Sequence, residues 1–141
     1  MIGVTALSAT NAWAVGDYTI GGGLTLHTLI EHWDGKAWRK VPSYTPNQGA
    51  SLWAVAAKSP SLAFAVGSTD STLFTLGNTF LMKWNGHVWR EVTSPTPFNG
   101  LMFGVTFGSK TSAFAVGTND ALGYNPNGWT LIEHWNGRAW G

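Results

Sequence analysis

The chain has 141 residues, one domain's length, with 11% charged residues, a formal net charge of +1 and no cysteine. Its eight Lys and Arg are scattered, so it lacks the concentrated basic patch that nucleic acid or an anionic membrane surface requires. The missing cysteines exclude disulfides, thiolate metal sites and cysteine nucleophiles, and no apolar run approaches the ~18 residues of a membrane span.

In chain order, the first predicted element is an apolar strand a, "GVTALS" at 3–8, followed by strand b, "AWAVG" at 12–16. No basic n-region occurs within residues 1–16, so no signal peptide is expected there. A Gly-rich loop, 17–27, leads to strand c, "TLIEHW" at 28–33, and a tight Asp34-Gly35 turn leads to strand d, 37–43. The same order then returns. "AFAVG" appears at 63–67 and at 113–117, and Trp33, Trp84 and Trp135 recur at a constant spacing, as do Trp38, Trp89 and Trp140. "WAVAAKS" (53–59) and "FGVTFGS" (103–109) stand as further strands a, and "REVTSPTP" (90–97) matches "RKVPSYTP" (39–46). The third copy stops at Gly141, where that segment would begin. No stretch keeps a 3.6-residue apolar period, so no helix longer than two turns is expected.

Four short strands repeated every ~50 residues predict an all-β chain of three four-stranded antiparallel β-propeller blades, the third incomplete. The expected spans are 2–47, 52–98 and 101–141, all within one domain, 1–141. Asp34-Gly35, Asn85-Gly86 and Asn136-Gly137 supply the positive φ angles of tight c–d hairpins. With residues 34–37 as the connection, Trp33 and Trp38 form a directly opposed cross-strand pair. Trp33, Trp38, Trp84, Trp89 and Trp135 are expected to be buried between or within blades.

The phrases A-W-A-V-G, T-L-I-E-H-W-[DN]-G-x-A-W and V-P-S resemble tandem bacterial β-propeller repeats of the broad Kelch/galactose-oxidase-like kind, over essentially the whole chain. That resemblance implies the fold and no particular activity. "EHWDGKAW" is also similar to the W-D-G-x-x-W hairpin of small fucose-binding propeller lectins, which implies carbohydrate binding. Those lectins place a Glu three residues before the Trp and an Arg on a neighbouring strand. Here Glu31 lies two before Trp33, a one-residue offset that turns it to the face opposite the one the lectins' Glu occupies, and strand b carries no Arg.

Chemistry is sparse. Glu31 and Glu133 occupy one repeat position in different blades, too far apart for a general acid/base pair, and Met82 replaces them in the middle repeat. In the Glu-His dipeptides 31–32 and 133–134 the two side chains point to opposite faces of a strand and do not chelate one ion. His32 and His134 are expected to pack between blades, hydrogen-bonded through a ring nitrogen. No G-x-S-x-G context supports a nucleophilic serine, and Gly21, Gly22 and Gly23 precede neither lysine nor helix, so they form no phosphate cradle. The chain is therefore read as no enzyme, with neither metal nor cofactor.

Antiparallel order puts the tight a–b and c–d turns on one edge and the long b–c and d–a loops on the other. The repeats differ almost only in those long loops, where function on a rigid scaffold usually lies. Asp17, Tyr18, Asp70, Asn119, Asp120 and Tyr124 are the candidate ligand-binding residues. The leading expectation is a non-enzymatic scaffold that assembles with itself and binds a glycan or a protein through these loops; the alternative is a propeller lectin. Three blades leave two apolar outer faces, so ring closure by oligomerisation is expected. Small residues on strand a (Gly3, Ala6, Ala54, Ala56, Ala57, Gly104) against Trp on strands c and d make a steep wedge, which favours a six-bladed dimer over a nine-bladed trimer.

Overall fold

The computed structural model describes residues 1–69, 77–96, 100–119 and 129–141. Among these the protein is all-β without helix, with eleven strands in three antiparallel sheets of four, four and three. Sheet 1 is β1 (Gly3–Ser8), β2 (Asn11–Tyr18), β3 (His27–Trp33) and β4 (Trp38–Lys40). Sheet 2 is β5 (Ala50–Ser59), β6 (Leu62–Thr69), β7 (Thr79–Trp84) and β8 (Trp89–Val92). Sheet 3 is β9 (Leu101–Ser109), β10 (Ser112–Thr118) and β11 (Thr130–Trp135). Each sheet runs in chain order, so every strand pairs with its sequence neighbour.

The β3–β4 hairpin explains the repeated phrase. Gly35, Gly86 and Gly137 sit at φ 90°, 98° and 92°, conformations that only glycine adopts without strain. The residue before each glycine works through its side chain. Asp34 Oδ1 accepts from the backbone N–H of Lys36 and Ala37, both at 2.9 Å. Asn85 and Asn136 do the same for His87 and Val88, and for Arg138 and Ala139. One acceptor oxygen suffices, which is why Asp and Asn exchange between repeats. In Asp34 the Ala37 N–H, the Arg39 guanidinium and the Lys36 N–H hold the carboxyl down to about 2. Trp33 faces Trp38, Trp84 faces Trp89, and Trp135 faces Trp140 across the turn. The indole N–H of Trp33 and of Trp84 also donates to the Ala9 and Pro60 carbonyls of the β1–β2 and β5–β6 turns. These bonds place both kinds of tight turn on one edge.

Sheet 2 lies between the other two: β1, β2 and β3 pack on β5, while β5, β6 and β7 pack on β9. Because side chains alternate along a strand, each sheet sends one set of residues to each neighbour. Trp13, Val15 and Ile30 of sheet 1 meet Ala63, Ala65, Phe80, Met82 and Trp89 of sheet 2. One residue out of phase, Phe64, Val66 and Leu81 leave sheet 2 to meet Ala113, Ala115, Leu131, Trp135 and Trp140 of sheet 3. The two contacts are the same contact, built twice.

That phase corrects the expected burial of the tryptophans. Trp89 and Trp135 are buried, but Trp33 and Trp84 are only half-buried and Trp38 is 43% exposed. Trp33 and Trp38 point away from sheet 2, where no further sheet covers them. The second strand supplies the ring that was not anticipated: Trp13, 2% exposed, touches both Trp84 and Trp89.

Strands β5 and β9 start earlier than expected, and besides a register shift next to its tight turn each carries a one-residue irregularity, at Trp53 and Phe103. The two extra residues project toward one another and stack at 5.1 Å with planes 7° apart.

Candidate functional site: the loop edge and two open sheet faces

Asp17 and Tyr18 belong to the end of β2, which runs past the expected 12–16. As strand neighbours they point to opposite faces. The Asp17 carboxylate accepts a hydrogen bond from Ser51 Oγ of β5, and that oxygen accepts from Trp53 Nε1 at 2.9 Å. This chain ties sheet 1 to sheet 2. Tyr18 faces the other way, with Lys40 Nζ 4.0 Å above its ring and His27 beside it. It lines an open groove of about 400 Å³ with Thr28, Lys40, Pro42, Ser43 and Thr45. Asn119 is two sheets away; its N–H donates to the Trp129 carbonyl at 3.0 Å and closes the base of the third b–c loop. Asp70, Asp120 and Tyr124 lie outside the described residues. The Tyr18 groove includes neither Asp17 nor Asn119.

Trp129 is a residue that sequence reasoning passed over. It is 62% exposed at the foot of that loop. Its signal was available, since it is the tryptophan that no other repeat's b–c loop matches.

Glu133 is 1% exposed on β11, facing sheet 2. Ser94 Oγ and the Thr96 N–H, from the segment leaving β8, donate to its Oε1, while Oε2 has no hydrogen-bond partner among the described residues. Burial raises its pKa above the ordinary 4.5, against the opposing pull of those two donors. A carboxyl raised on folding favours the folded state at low pH, and that contribution is lost as pH rises through the folded pKa. Urea unfolding across pH 4 to 7 should therefore show the wild type losing stability relative to Glu133→Gln as pH rises. A pH-independent difference between the two proteins would contradict this account. Met82 holds the same position in sheet 2, fully buried, and Glu31 holds it on the open side of sheet 1.

The histidines follow the sheets that carry them. His32 Nε2 donates one hydrogen bond to Asn11 Oδ1 at 3.0 Å, and the ring lies 4.4 Å from that of Trp13. His134 pairs with Ser112 Oγ and stacks on Phe114 at 4.7 Å, on the open side of sheet 3. Among the described residues no three His, Asp or Glu side chains gather as metal ligands would.

Two apolar faces remain open. On sheet 3, Phe114, Val116 and Ile132 are 43%, 45% and 63% exposed. Their counterparts in sheet 2, Phe64, Val66 and Leu81, are buried. On sheet 1, the open face carries Ala12, Ala14, Trp33 and Trp38, the counterparts of Ala113, Ala115, Trp135 and Trp140. No protein-family model matches this chain, and no curated protein does.

Proposed function

We propose that this chain is a non-enzymatic β-propeller scaffold whose three sheets are blades, and that copies of it assemble into a closed ring. The observation that supports this reading is the sheet-to-sheet contact, repeated in one register and left half-made at both ends. Exposed apolar faces favour association. Two copies of three sheets make a six-bladed disc, within the usual range of about four to eight blades, and three copies make nine. The dimer is favoured, because small strand-a residues opposite Trp-bearing outer strands make a steep wedge. In a ring the b–c and d–a loops, with Tyr18 and Asn119, stay on one free edge for a ligand. Light scattering coupled to size exclusion tests the assembly: the expected mass is twice 15.1 kDa, and a well-folded monomer at all concentrations would sink the proposal.

A second reading is a carbohydrate-binding module, favoured by the exposed indole of Trp129 at the loop edge. An exposed indole is a stacking surface for a sugar ring. Titration with a glycan series should then quench Trp fluorescence, and Trp129→Ala should abolish the quenching without loss of fold. The grooves between sheets favour it less. One such groove, about 410 Å³ between Lys83, Glu91, Trp135, Arg138 and Trp140, keeps its indoles 4% and 7% exposed, with little ring left for stacking.

A further inference from the structure

We infer that the ring closes head to tail: the Phe114 face of one copy seats on the Trp33–Trp38 face of a second copy. The inference rests on the assembly proposed above and specifies the surface, the partner and the mode of pairing.

Each internal contact has a donor ring and a receiving tryptophan pair. Trp13 enters the Trp84–Trp89 pair with centroids at 5.0 and 5.2 Å. Phe64 enters the Trp135–Trp140 pair at 5.2 and 4.9 Å. The receiving pairs have nearly fixed geometry, with their rings 5.8 Å apart at 42° and 6.0 Å apart at 51°. The Trp33–Trp38 pair has that geometry, at 5.8 Å and 45°, with no donor ring among the described residues. Its receptor is already formed.

The donor is formed too. His134 stacks on Phe114 at 4.7 Å, and at the same repeat position His32 lies against Trp13 at 4.4 Å with its ring tilted by 46°. Val116 and Ile132 stand beside Phe114 where Val15 and Ile30 stand beside Trp13. The receiving face is small where the donor face is large. Ala12 and Ala14 repeat Ala63 and Ala65, and Ala113 and Ala115, the small residues that the donor ring's cluster meets in each internal contact. Pairing of either face with itself lacks this complementarity: two Trp33–Trp38 faces present rings to rings and alanines to alanines. A heterologous contact between copies is therefore the one whose every element exists twice in the chain.

Complementation tests the inference. Phe114→Asp breaks only the donor face and Trp38→Asp only the receiving face; both residues are surface-exposed, and retained folding is checked by circular dichroism. Each variant alone should run as a 15.1 kDa monomer. Mixed in equal amounts they should form a heterodimer, because one intact donor meets one intact receptor. A second readout uses the absence of native cysteine. A mixture of Phe114→Cys and Trp38→Cys chains should cross-link mainly as the mixed pair under mild oxidation. If both aspartate variants keep the wild-type mass, assembly stands and this interface falls. If Phe114→Asp still dimerises while Trp38→Asp does not, the tryptophan faces pair with each other and head-to-tail closure is overturned. It is also overturned if the mixture neither associates nor yields the mixed cross-link. A wild-type monomer removes both proposals.

Discussion

Phe64→Ala should cost about 3–5 kcal/mol of stability in urea unfolding, whereas Phe114→Ala should cost less than about 1 kcal/mol in the dissociated chain. The two phenylalanines stand in the same repeat phrase, "AFAVG", so their local strand preferences are equal. Their surroundings differ. Phe64 is fully buried and packs against Phe107, Trp135 and Trp140 with ring centroids between 4.9 and 5.4 Å. Its removal leaves a cavity walled by rigid aromatic rings that do not collapse into it. Phe114 is 43% exposed, and its alanine variant loses chiefly the stack on His134. In an assembled ring the cost at Phe114 should rise and become concentration-dependent, because association stabilises only the intact face. Equal effects at the two sites under dilute conditions would refute the packing described here.

Gly67→Ala is expected to be as damaging or worse, at least about 3 kcal/mol, the upper end of overpacking. A Cβ at Gly67 would lie 1.9 Å from the Ser51 carbonyl oxygen and 2.9 Å from the Leu52 Cα. Both are backbone atoms, which do not swing aside as a side chain would. The cause is the irregularity at Trp53, which brings the start of β5 over β6. Gly117 repeats the arrangement under Leu101, at 1.8 Å. Relief would require undoing the bulge, and with it the Trp53–Phe103 stack and the Asp17–Ser51–Trp53 chain between sheets. Gly108→Ala is the control. Its nearest neighbour would be 3.6 Å away, ordinary contact, and the change should stay within about 0.5 kcal/mol. Thermal melts of the two variants should separate clearly; a Gly67→Ala protein as stable as wild type would show that the strands do not approach so closely.

What the sequence determined by itself is the local half of this protein. Strand existence, the antiparallel order within each sheet, the Asp/Asn-Gly turns and the directly opposed tryptophan pairs all follow from interactions spanning a few residues. Turn chemistry and two-residue alternation are written in the chain, and fifty-residue repetition makes each reading three times over. The tertiary structure decided which face of each strand has a neighbour. Alternation says that Trp13 and Trp33 differ in facing, but only the stacking of sheets shows that Trp13 is sealed and Trp38 is open. The same holds for Glu31 and Glu133, identical in phrase but half-buried and fully buried respectively. Asp17, expected as a loop residue for ligand, is a strand residue bonded to Ser51, because the partner comes from 34 positions away. The bulges at Trp53 and Phe103 were equally hidden, since they lie where strand a meets both its own sheet and the preceding one. Equal sequences gain unequal roles here for one physical reason: burial depends on what stands across the sheet face, and that is settled between repeats rather than within one.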